Sequence, residues 1–392
     1  MKAEPAGAVA TAEAIGREAD TERLWAALSE GGVILEGRWG MGKTTLIRLA
    51  LAATPAGWFG RRVALAELPT PLAAAAAIID ALWQDHPGPG PALEALVTPL
   101  LGAGGEVTAD ELGLGDGEHE DGWEAVLRDC VDAVMQAELG EAAPAVVLAL
   151  DDFDRFCAQM MAKGFGPSLG VLVTTIAELL DSHAELRLLI SCGASCDRLF
   201  ERVYPRLPSA AFDSFARVRV ESLSPESGAR LATALLLGES IAARDRAATA
   251  RRIAASLDGV PRWIHCAMAE LARRHEPVTE ADLEQLFTAA AASVTAEPWA
   301  LGRELAPVLE DYWEPQRGLA LAILDALCGA EDGAFEFREL RRRLAVQMTI
   351  DDDAIQRVVE VLLRDQIIEN IGGRLRFYGD LLRRGWMQLR GL

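Results

Sequence analysis

The stretch Gly37-Arg38-Trp39-Gly40-Met41-Gly42-Lys43-Thr44 decides the fold of this chain. It matches the spacing G-x-x-x-x-G-K-[ST], in which glycines let backbone N–H groups close around phosphate oxygens. The apolar run 33–36 before it is typical of a short buried strand, and the run 45–51 after it is typical of a helix. A chance glycine-rich turn is the alternative, and the agreement of strand, loop, Lys-Thr pair and helix argues against it. The sequence therefore predicts a phosphate-binding loop, here called the phosphate loop, at a helix N-terminus.

The residues of the phosphate loop would each have a chemical role toward a bound nucleotide. Lys43 would reach the β- and γ-phosphates, and the Thr44 hydroxyl would hold Mg²⁺. The other residues predicted to contact the nucleotide are Gly37, Trp39, Gly40, Met41, Gly42 and Thr45. Trp39 allows two interpretations, packing on a helical lid or stacking on a partner, and the sequence leaves both open.

A second candidate site follows the apolar run 145–150. Such a run is typical of a fully buried parallel strand, and ligand groups lie beyond the carboxyl ends of such strands. Asp151 would then be the carboxylate on the Mg²⁺ side, and Asp152 the residue that polarises the attacking water. The alternative is an acidic pair that caps the next helix, because Asp is common at helix N-termini. The phosphate loop favours the catalytic interpretation.

Strands and helices alternate over residues 15–222, which predicts an α/β core with a parallel sheet. The predicted strands are 33–36, 63–67, 145–150, 186–191 and 216–220. The predicted helices include 43–53, 71–85, 123–138 and 168–181. Residues 102–122 are rich in Gly, Asp and Glu, which predicts an exposed acidic loop.

Three further segments complete the predicted domain organisation. Residues 1–14 form an Ala-rich stretch that we expect to be a flexible tail. Residues 223–312 are predicted to be a helical lid. Residues 313–392 are predicted to be a winged-helix domain, because three helical patterns precede a hairpin pattern with a Gly-Gly turn.

Composition excludes several classes of protein. Hydrophobic residues make up 51% and charged residues 25% of the 392 residues, which is the balance of an ordinary globular protein. No apolar run is long enough to cross a bilayer, and residues 1–5 lack the pattern of a signal peptide. The six Cys and five His show no metal-ligand spacing. We therefore expect a reduced, cytoplasmic protein without membrane insertion.

The motifs, in their order along the chain, resemble the STAND/AAA+ class of P-loop ATPases, especially the archaeal-type ATPases and origin-recognition-like proteins. The resemblance covers the chain beyond the tail, with Walker A at 37–44 and Walker B at 148–152. It implies a P-loop NTPase core with a parallel sheet, a helical lid and a C-terminal winged helix. It also implies ATP and Mg²⁺ as ligands. The choice of ATP over GTP depends on the resemblance, since the sequence shows no guanine-specific element.

The same resemblance implies roles for shorter motifs. Gly16 and Arg17 belong to an entry motif beside the adenine, and Ser191 stands where a polar sensor residue is expected. Pro261 and Arg262 belong to a Gly-x-Pro motif whose arginine would sense the γ-phosphate from the lid. Each has a plainer alternative, namely a strand end for Ser191, a helix break for Pro261 and a solvated side chain for Arg262.

An arginine finger and the end of the winged helix are also implied. Arg206 stands where related oligomeric ATPases place a finger, although Arg198 and Arg202 compete for that role. The motif at 375–380, followed by Trp386, resembles the end of the winged-helix module in archaeal-type ATPases.

Two classes of function remain. We expect a Mg²⁺-dependent ATPase that acts as a switch or assembly module on a protein effector or by self-association, in signalling, regulation or defence as the STAND resemblance implies. An ATP-binding scaffold without turnover is disfavoured by the intact Asp151-Asp152 pair. The other class is a DNA-associated AAA+ ATPase of initiator or transposition type.

The charge pattern separates these classes. The net charge of −21 opposes non-specific attraction to nucleic acid, although residues 313–392 are almost neutral, with 12 Arg and 13 Asp or Glu. The basic run Arg341–Arg343 favours DNA binding. The carboxylates of Asp351–Asp353 oppose it, because they begin the helix that would enter the major groove. The sequence therefore favours the protein-facing switch.

Overall fold

The computed structural model divides the chain into two compact units, and each unit is discontinuous in sequence. The sheet unit comprises Ala19–Glu36 and Lys43–Arg219, and the C-terminal unit comprises Met1–Glu18, Gly37–Gly42 and Val220–Leu392. The structure describes residues 1–5, 9–83, 123–138, 145–193, 210–274, 276–293, 298–299, 301–302, 305, 316–330, 333–347 and 351–392.

A five-stranded parallel sheet is the centre of the sheet unit. Its strands are β1 (Val33–Glu36), β2 (Trp58–Ala64), β3 (Ala145–Asp151), β4 (Leu186–Cys192) and β5 (Ala216–Arg219), in the spatial order β2-β3-β4-β1-β5. The helices are α1 (Glu18–Glu30), α2 (Lys43–Ala52), α3 (Pro71–Trp83), α4 (Trp123–Glu138), α5 (Phe153–Ala162), α6 (Gly166–Ser182) and α7 (Ala210–Asp213). The predicted alternation of strands and helices is confirmed.

The two faces of β3 carry different side chains. Val146, Leu148 and Leu150 lie on one face and belong to the main hydrophobic core, together with apolar side chains of α3, α4 and α6. Ala149 and Asp151 lie on the other face, because side chains alternate along a strand. Asp151 is the last residue of β3 and is fully buried. The core thus fixes the strand that carries the acidic pair.

Strand β2 does not follow the sequence prediction, which placed this strand at 63–67. The strand runs from Trp58 to Ala64 and contains Gly60, a residue type that is depleted in strands, followed by Arg61 and Arg62. Both arginines have partners in the fold. The Arg61 guanidinium lies 3.8 Å from the centre of the Phe59 ring, and Arg62 forms an ion pair with Asp151. These contacts outweigh the local preference for a loop.

The C-terminal unit begins with four helices, α8 (Pro225–Gly238), α9 (Arg246–Ser256), α10 (Pro261–Leu271) and α11 (Glu280–Ala292). Their starts are encoded locally. The side chains of Ser224, Asp245 and Thr279 accept hydrogen bonds from backbone N–H groups in the first turns of α8, α9 and α11, which satisfies donors that a helix start leaves open. The predicted helical character of this region is confirmed for its described residues.

The rest of this unit has the order α12 (Gln316–Cys328), β6 (Ala334–Glu336), α13 (Phe337–Gln347), α14 (Asp352–Arg364), β7 (Ile368–Ile371), β8 (Arg374–Phe377) and α15 (Asp380–Arg390). The three strands form an antiparallel sheet in the order β6-β8-β7. Gly372 and Gly373 form the turn between β7 and β8, both with positive φ, as tight hairpin turns require. The hairpin predicted at this Gly-Gly pair is present.

Several other predictions concern the ends of the chain and its cysteines. The segment predicted as a flexible tail contains a short 3₁₀ helix, Thr11–Glu13, and the Glu4 N–H donates to His265 Nδ1 at 3.0 Å. Cys192 is disulfide-bonded, which differs from the fully reduced set that we expected. Among the described residues, none of the helices combines the length and the apolar character needed to cross a membrane, and none of the His, Cys, Asp and Glu side chains gather into a potential metal cluster. The predicted acidic loop at 102–122 lies outside the described residues.

Candidate functional site

The phosphate loop has the backbone conformation that its glycines allow. Gly40 and Gly42 have φ values of 85° and 90°, in the left-handed region that side chains rarely adopt. A Cβ atom on Gly40 would also lie 2.9 Å from the Cβ of Arg262. Lys43 is the first residue of α2 and is only 9% exposed, while Thr44 is partly exposed. The chain thus opens α2 directly behind two left-handed glycines, as a phosphate-binding turn requires.

The Asp151 carboxylate is held from both sides. Its Oδ1 atom accepts a hydrogen bond from Ser191 Oγ at 2.6 Å. Its Oδ2 atom accepts a hydrogen bond from Arg62 Nε at 2.8 Å and forms an ion pair with Arg62 Nη2 at 2.7 Å. The Asp151 side chain is completely buried, and such a charge is tolerated only when it is paired and hydrogen-bonded.

The strand register brings these three side chains together. In the parallel pairing of β2 with β3, Arg62 lies beside Ala149, and Ala64 lies beside Asp151. The small side chain of Ala64 leaves room for Arg62, two residues earlier on the same face, to extend along the sheet to the carboxylate. Ser191 reaches Asp151 from β4 on the other side. Sequence reasoning missed Arg62 because it placed the start of β2 at residue 63, five residues too late.

Asp152 has a strained position at the end of β3. Its φ of 57° and ψ of 40° lie in the left-handed region, which is uncommon for a residue with a side chain and is often a property of functional sites. Its side chain makes no capping hydrogen bond to α5, so the helix-cap interpretation of the acidic pair is wrong for Asp152. Its backbone N–H donates to Ser191 Oγ at 2.8 Å.

The surroundings of Asp152 shift the pKa of its carboxyl group. Burial raises the pKa of its carboxyl group above the usual value, the neighbouring Asp151 raises it further, and Lys43 opposes the shift. A carboxylate with a raised pKa holds a proton more readily, as a residue that accepts a proton from water must do. Ser191 is fully buried and gives its single proton to Asp151, so it orients the acidic pair. Its role as a γ-phosphate sensor stays a prediction.

The first half of the phosphate loop is bonded to the C-terminal part of the chain. The Arg38 N–H donates to Gln366 Oε1 at 2.8 Å, and Gln366 Nε2 donates to the Val220 carbonyl at 3.2 Å. The Arg38 guanidinium lies 4.8 Å from the Trp263 ring centre and 5.0 Å from the Tyr378 ring centre, within the range of cation–π attraction. Arg38 and Gln366 are both almost fully buried. The loop, α10 and the segment after α14 therefore share one set of contacts.

Arg262 lies against the same loop. It belongs to the first turn of α10, directly after Pro261. Its N–H donates to the Gly40 carbonyl at 3.2 Å, and its guanidinium lies 3.5 Å from the Trp39 ring centre. Its Nη2 atom donates to the Pro298 carbonyl at 3.0 Å. Trp39 therefore packs on the helical region, which is one of its two predicted arrangements. Arg262 is not a solvated side chain.

The predicted entry motif also touches the phosphate loop. Arg17 is 5% exposed, and its Nη2 atom donates to the Met41 carbonyl at 2.6 Å. Gly16 has a positive φ of 73°, and a Cβ there would lie 2.5 Å from the Ser227 side chain. Glycine is therefore required where the chain passes α8. Arg206, together with the competing Arg198 and Arg202, lies outside the described residues, and the arginine finger stays a prediction.

Asp258 is a buried carboxylate close to Arg38. It has a φ of 52°, and its Oδ2 atom is buried without a hydrogen-bond partner among the described residues. The atom packs so closely on Gly379 that a Cβ there would lie 2.2 Å away. Burial raises the pKa of Asp258 to about 7, with Arg38 opposing the shift and Asp380 and Glu369 adding to it.

We predict that Asp258→Asn stabilises the protein in a pH-dependent manner. Below its ordinary pKa the group is protonated in both states, whereas between that value and about 7 the unfolded chain ionises and the folded protein does not. Asp258 therefore lowers the free energy of unfolding of the native protein. This loss grows as the pH rises through the window and reaches its full size above it. Urea unfolding at about pH 5 and about pH 8 should show the larger gain for the variant at the higher pH. An equal gain at both values, or none, would contradict this assignment.

Comparisons with known proteins agree with this fold. No family model matches the sequence, and no curated protein matches it. The Walker-type ATPase paby2304 of Pyrococcus abyssi has a similar structure, with a TM-score of 0.54, 16% identity, and coverage of 95% of this chain and 96% of that one. The likeness at this identity concerns the fold alone. The chain has a P-loop NTPase fold, an α/β fold with a parallel sheet, as the sequence resemblance predicted.

Two more distant structures were also found. The ORC2 protein of Aeropyrum pernix, in its ADPNP–ADP complexes, has a TM-score of 0.43 and 14% identity, with coverage of 95% and 94%. A RuvB variant of Thermotoga maritima has a TM-score of 0.39 and 12% identity, with coverage of 94% of each chain. At these TM-scores, neither structure supports a conclusion about this protein.

Proposed function

We propose that this protein is a Mg²⁺-dependent ATPase that works as a switch, in which the state of the phosphate loop is passed to the later segments of the C-terminal unit, after Val220. The observation that carries the proposal is the bonding of the loop. The Arg38 N–H donates to Gln366, and the Gly40 carbonyl accepts from Arg262. A loop that closes around phosphates must keep or break these bonds, so the bound nucleotide would bias the segments that hold them.

The nucleotide-binding part of the proposal uses the residues that open α2. Lys43 would pair with the β- and γ-phosphates, and the N–H groups at the start of α2 would donate to phosphate oxygens. The Thr44 hydroxyl and the Asp151 carboxylate are oxygen donors, the type that Mg²⁺ prefers. When bound, Mg²⁺ supplies neutralisation of phosphate charge. The donor set of this chain therefore fits the ion, with ATP as the proposed nucleotide.

The hydrolytic part of the proposal depends on Asp152. Its carboxylate follows Asp151 directly and has a raised pKa, so it would orient a water molecule and accept its proton. Ser191 would keep both aspartates in place through its bonds to Asp151 Oδ1 and to the Asp152 N–H. Arg262 would respond to the γ-phosphate from α10, since its backbone is already bonded to Gly40.

We predict that Asp152→Asn binds ATP with native affinity but hydrolyses it about 10²–10⁴ times more slowly, the usual effect of losing a positioned acid–base group. Binding should persist because the phosphate contacts remain. A fluorescent ATP analogue measures binding, and phosphate release measures turnover.

Lys43→Ala is the matched control, because it removes the phosphate-pairing cation and should abolish binding itself. Native turnover in the Asp152→Asn protein would refute the role of Asp152. Unchanged affinity in Lys43→Ala would refute the nucleotide site.

The surface of the C-terminal unit favours a protein partner over DNA. We interpret α12–α14 and the β7–β8 hairpin as a winged helix, in which α14 would be the helix that enters a major groove. The exposed charged residues at α14 and its N-terminus are Asp351, Asp352, Asp353, Arg357 and Glu360. This face is acidic and would repel phosphates. We therefore propose an effector protein or a second copy of this chain as the partner.

DNA binding is the second candidate, and one observation favours it. Arg338, Arg341, Arg342 and Arg343 are all exposed on α13, and a basic cluster on one helix is the electrostatic footprint of a nucleic-acid interface. Arg341 already forms an ion pair with Asp352 of α14, which reduces the charge that this cluster offers.

We predict weak binding of random duplex DNA at physiological salt, with a shallow dependence on salt concentration, because few phosphates can be neutralised. Fluorescence anisotropy with and without ATP measures it. Changing Arg341, Arg342 and Arg343 together to Ala should leave this weak binding unchanged. The opposite outcome is sub-micromolar, ATP-dependent binding that depends steeply on salt and is lost in the triple variant. That result would favour the DNA-associated function.

A further inference from the structure

The proposed chemistry assigns no role to Arg62, although Arg62 forms an ion pair with Asp151. Two nitrogens of its guanidinium lie close to a single oxygen, Asp151 Oδ2, with Nε donating a hydrogen bond at 2.8 Å and Nη2 in an ion pair at 2.7 Å. This is the carboxylate that the proposed function places on the Mg²⁺ side. Asp151 Oδ1 is already bonded to Ser191. An arriving cation must therefore share Asp151 with a cation that the fold supplies.

The two members of this ion pair differ in their freedom to move. The Asp151 side chain is 0% exposed, is fixed at the end of β3 and is bonded on its second oxygen, whereas 23% of the Arg62 side chain is exposed. Arg62 also lies on β2, at the edge of the sheet. Arg62 can thus turn toward water, whereas the buried Asp151 carboxylate stays in place and then needs another cation as its partner.

The charges at this point act against each other. Removing Arg62 alone would leave an uncompensated carboxylate in the core, which is strongly destabilising. If Mg²⁺ bound to Asp151 while Arg62 stayed in place, two positive charges would lie within a few ångströms of each other. Their repulsion falls only when one of them moves away. Arg62 therefore stabilises the sheet without Mg²⁺ and opposes the binding of Mg²⁺.

We propose that Arg62 is a positioning residue, an internal counter-ion that holds the Asp151 carboxylate in the nucleotide-free protein and competes with Mg²⁺ for it. Loading of Mg²⁺ with the nucleotide then requires the Arg62 guanidinium to turn away from Asp151. This inference rests on the proposed nucleotide site and concerns its regulation by the free Mg²⁺ concentration. Arg62 sets the Mg²⁺ level at which the site fills.

The test compares Arg62→Gln with a matched control, Arg61→Gln, in the full chain. Arg61 is the neighbouring residue on the opposite face of β2 and stacks on Phe59, so the control removes the same charge from the same strand without touching Asp151. The readout is the binding of a fluorescent ADP analogue as Mg²⁺ is titrated, which needs no turnover. We expect the half-saturating Mg²⁺ concentration to fall about tenfold in Arg62→Gln and to stay native in Arg61→Gln.

Stability in EDTA separates this role from simple packing. Arg62→Gln should lower the melting temperature, and the double variant Arg62→Gln/Asp151→Asn should recover most of the loss, because neutralising both partners removes the buried charge. Arg62→Lys keeps the charge but loses the two-pronged contact, and it serves if the Gln variant does not fold. Its half-saturating Mg²⁺ concentration should lie between those of the native protein and the Gln variant.

The outcomes distinguish the two proposals. A native protein that fails to bind the ADP analogue in saturating Mg²⁺ removes the proposed nucleotide site and this inference with it. Normal ADP binding with the same Mg²⁺ dependence in native, Arg62→Gln and Arg62→Lys proteins overturns the inference alone. An equal shift in Arg61→Gln also overturns it, because the effect would then be one of general charge.

Discussion

The ion pair between Arg62 and the buried Asp151 is the interaction on which the proposed active site depends. A fully buried carboxylate at a strand end is unstable unless neighbouring strands supply partners. The strand order puts β2 on one side of β3 and β4 on the other, so that Arg62 and Ser191 both reach Asp151. Ser191 then also fixes the Asp152 backbone. One sheet register thus positions both carboxylates before any ligand is present.

A second set of contacts gives the phosphate loop its proposed function as a switch. Residues Gly37–Gly42 belong to the C-terminal unit, where Arg38 contacts Trp263, Tyr378 and Gln366. These residues come from α10, from the end of the hairpin and from the segment after α14. Such a loop cannot rearrange around phosphates without changing its contacts to all three. Under the proposed function, the nucleotide state would therefore be available to a partner of the C-terminal unit.

The sequence was sufficient for the parts of the structure that local chemistry determines. The phosphate loop, the buried β3 with its acidic end and the Gly-Gly hairpin were predicted, because glycine spacing, apolar runs and turn residues act locally. Arg62 and Gln366 were not, because their importance lies in partners that are distant along the chain. Strand β2 was misplaced for the same reason, since its arginines are stabilised by Phe59 and Asp151 and not by strand preference.

Hydrogen–deuterium exchange tests the central claim, that the nucleotide state of the loop reaches the segments of the C-terminal unit after Val220. The native chain would be measured with and without Mg²⁺ and ATP, beside Gln366→Ala, which removes the side-chain bond to Arg38. The account predicts that protection changes together in the loop 37–42 and in the segment 366–378. In Gln366→Ala the change should persist in the loop and diminish in the second segment. A nucleotide-induced change confined to the loop in the native protein would contradict the account.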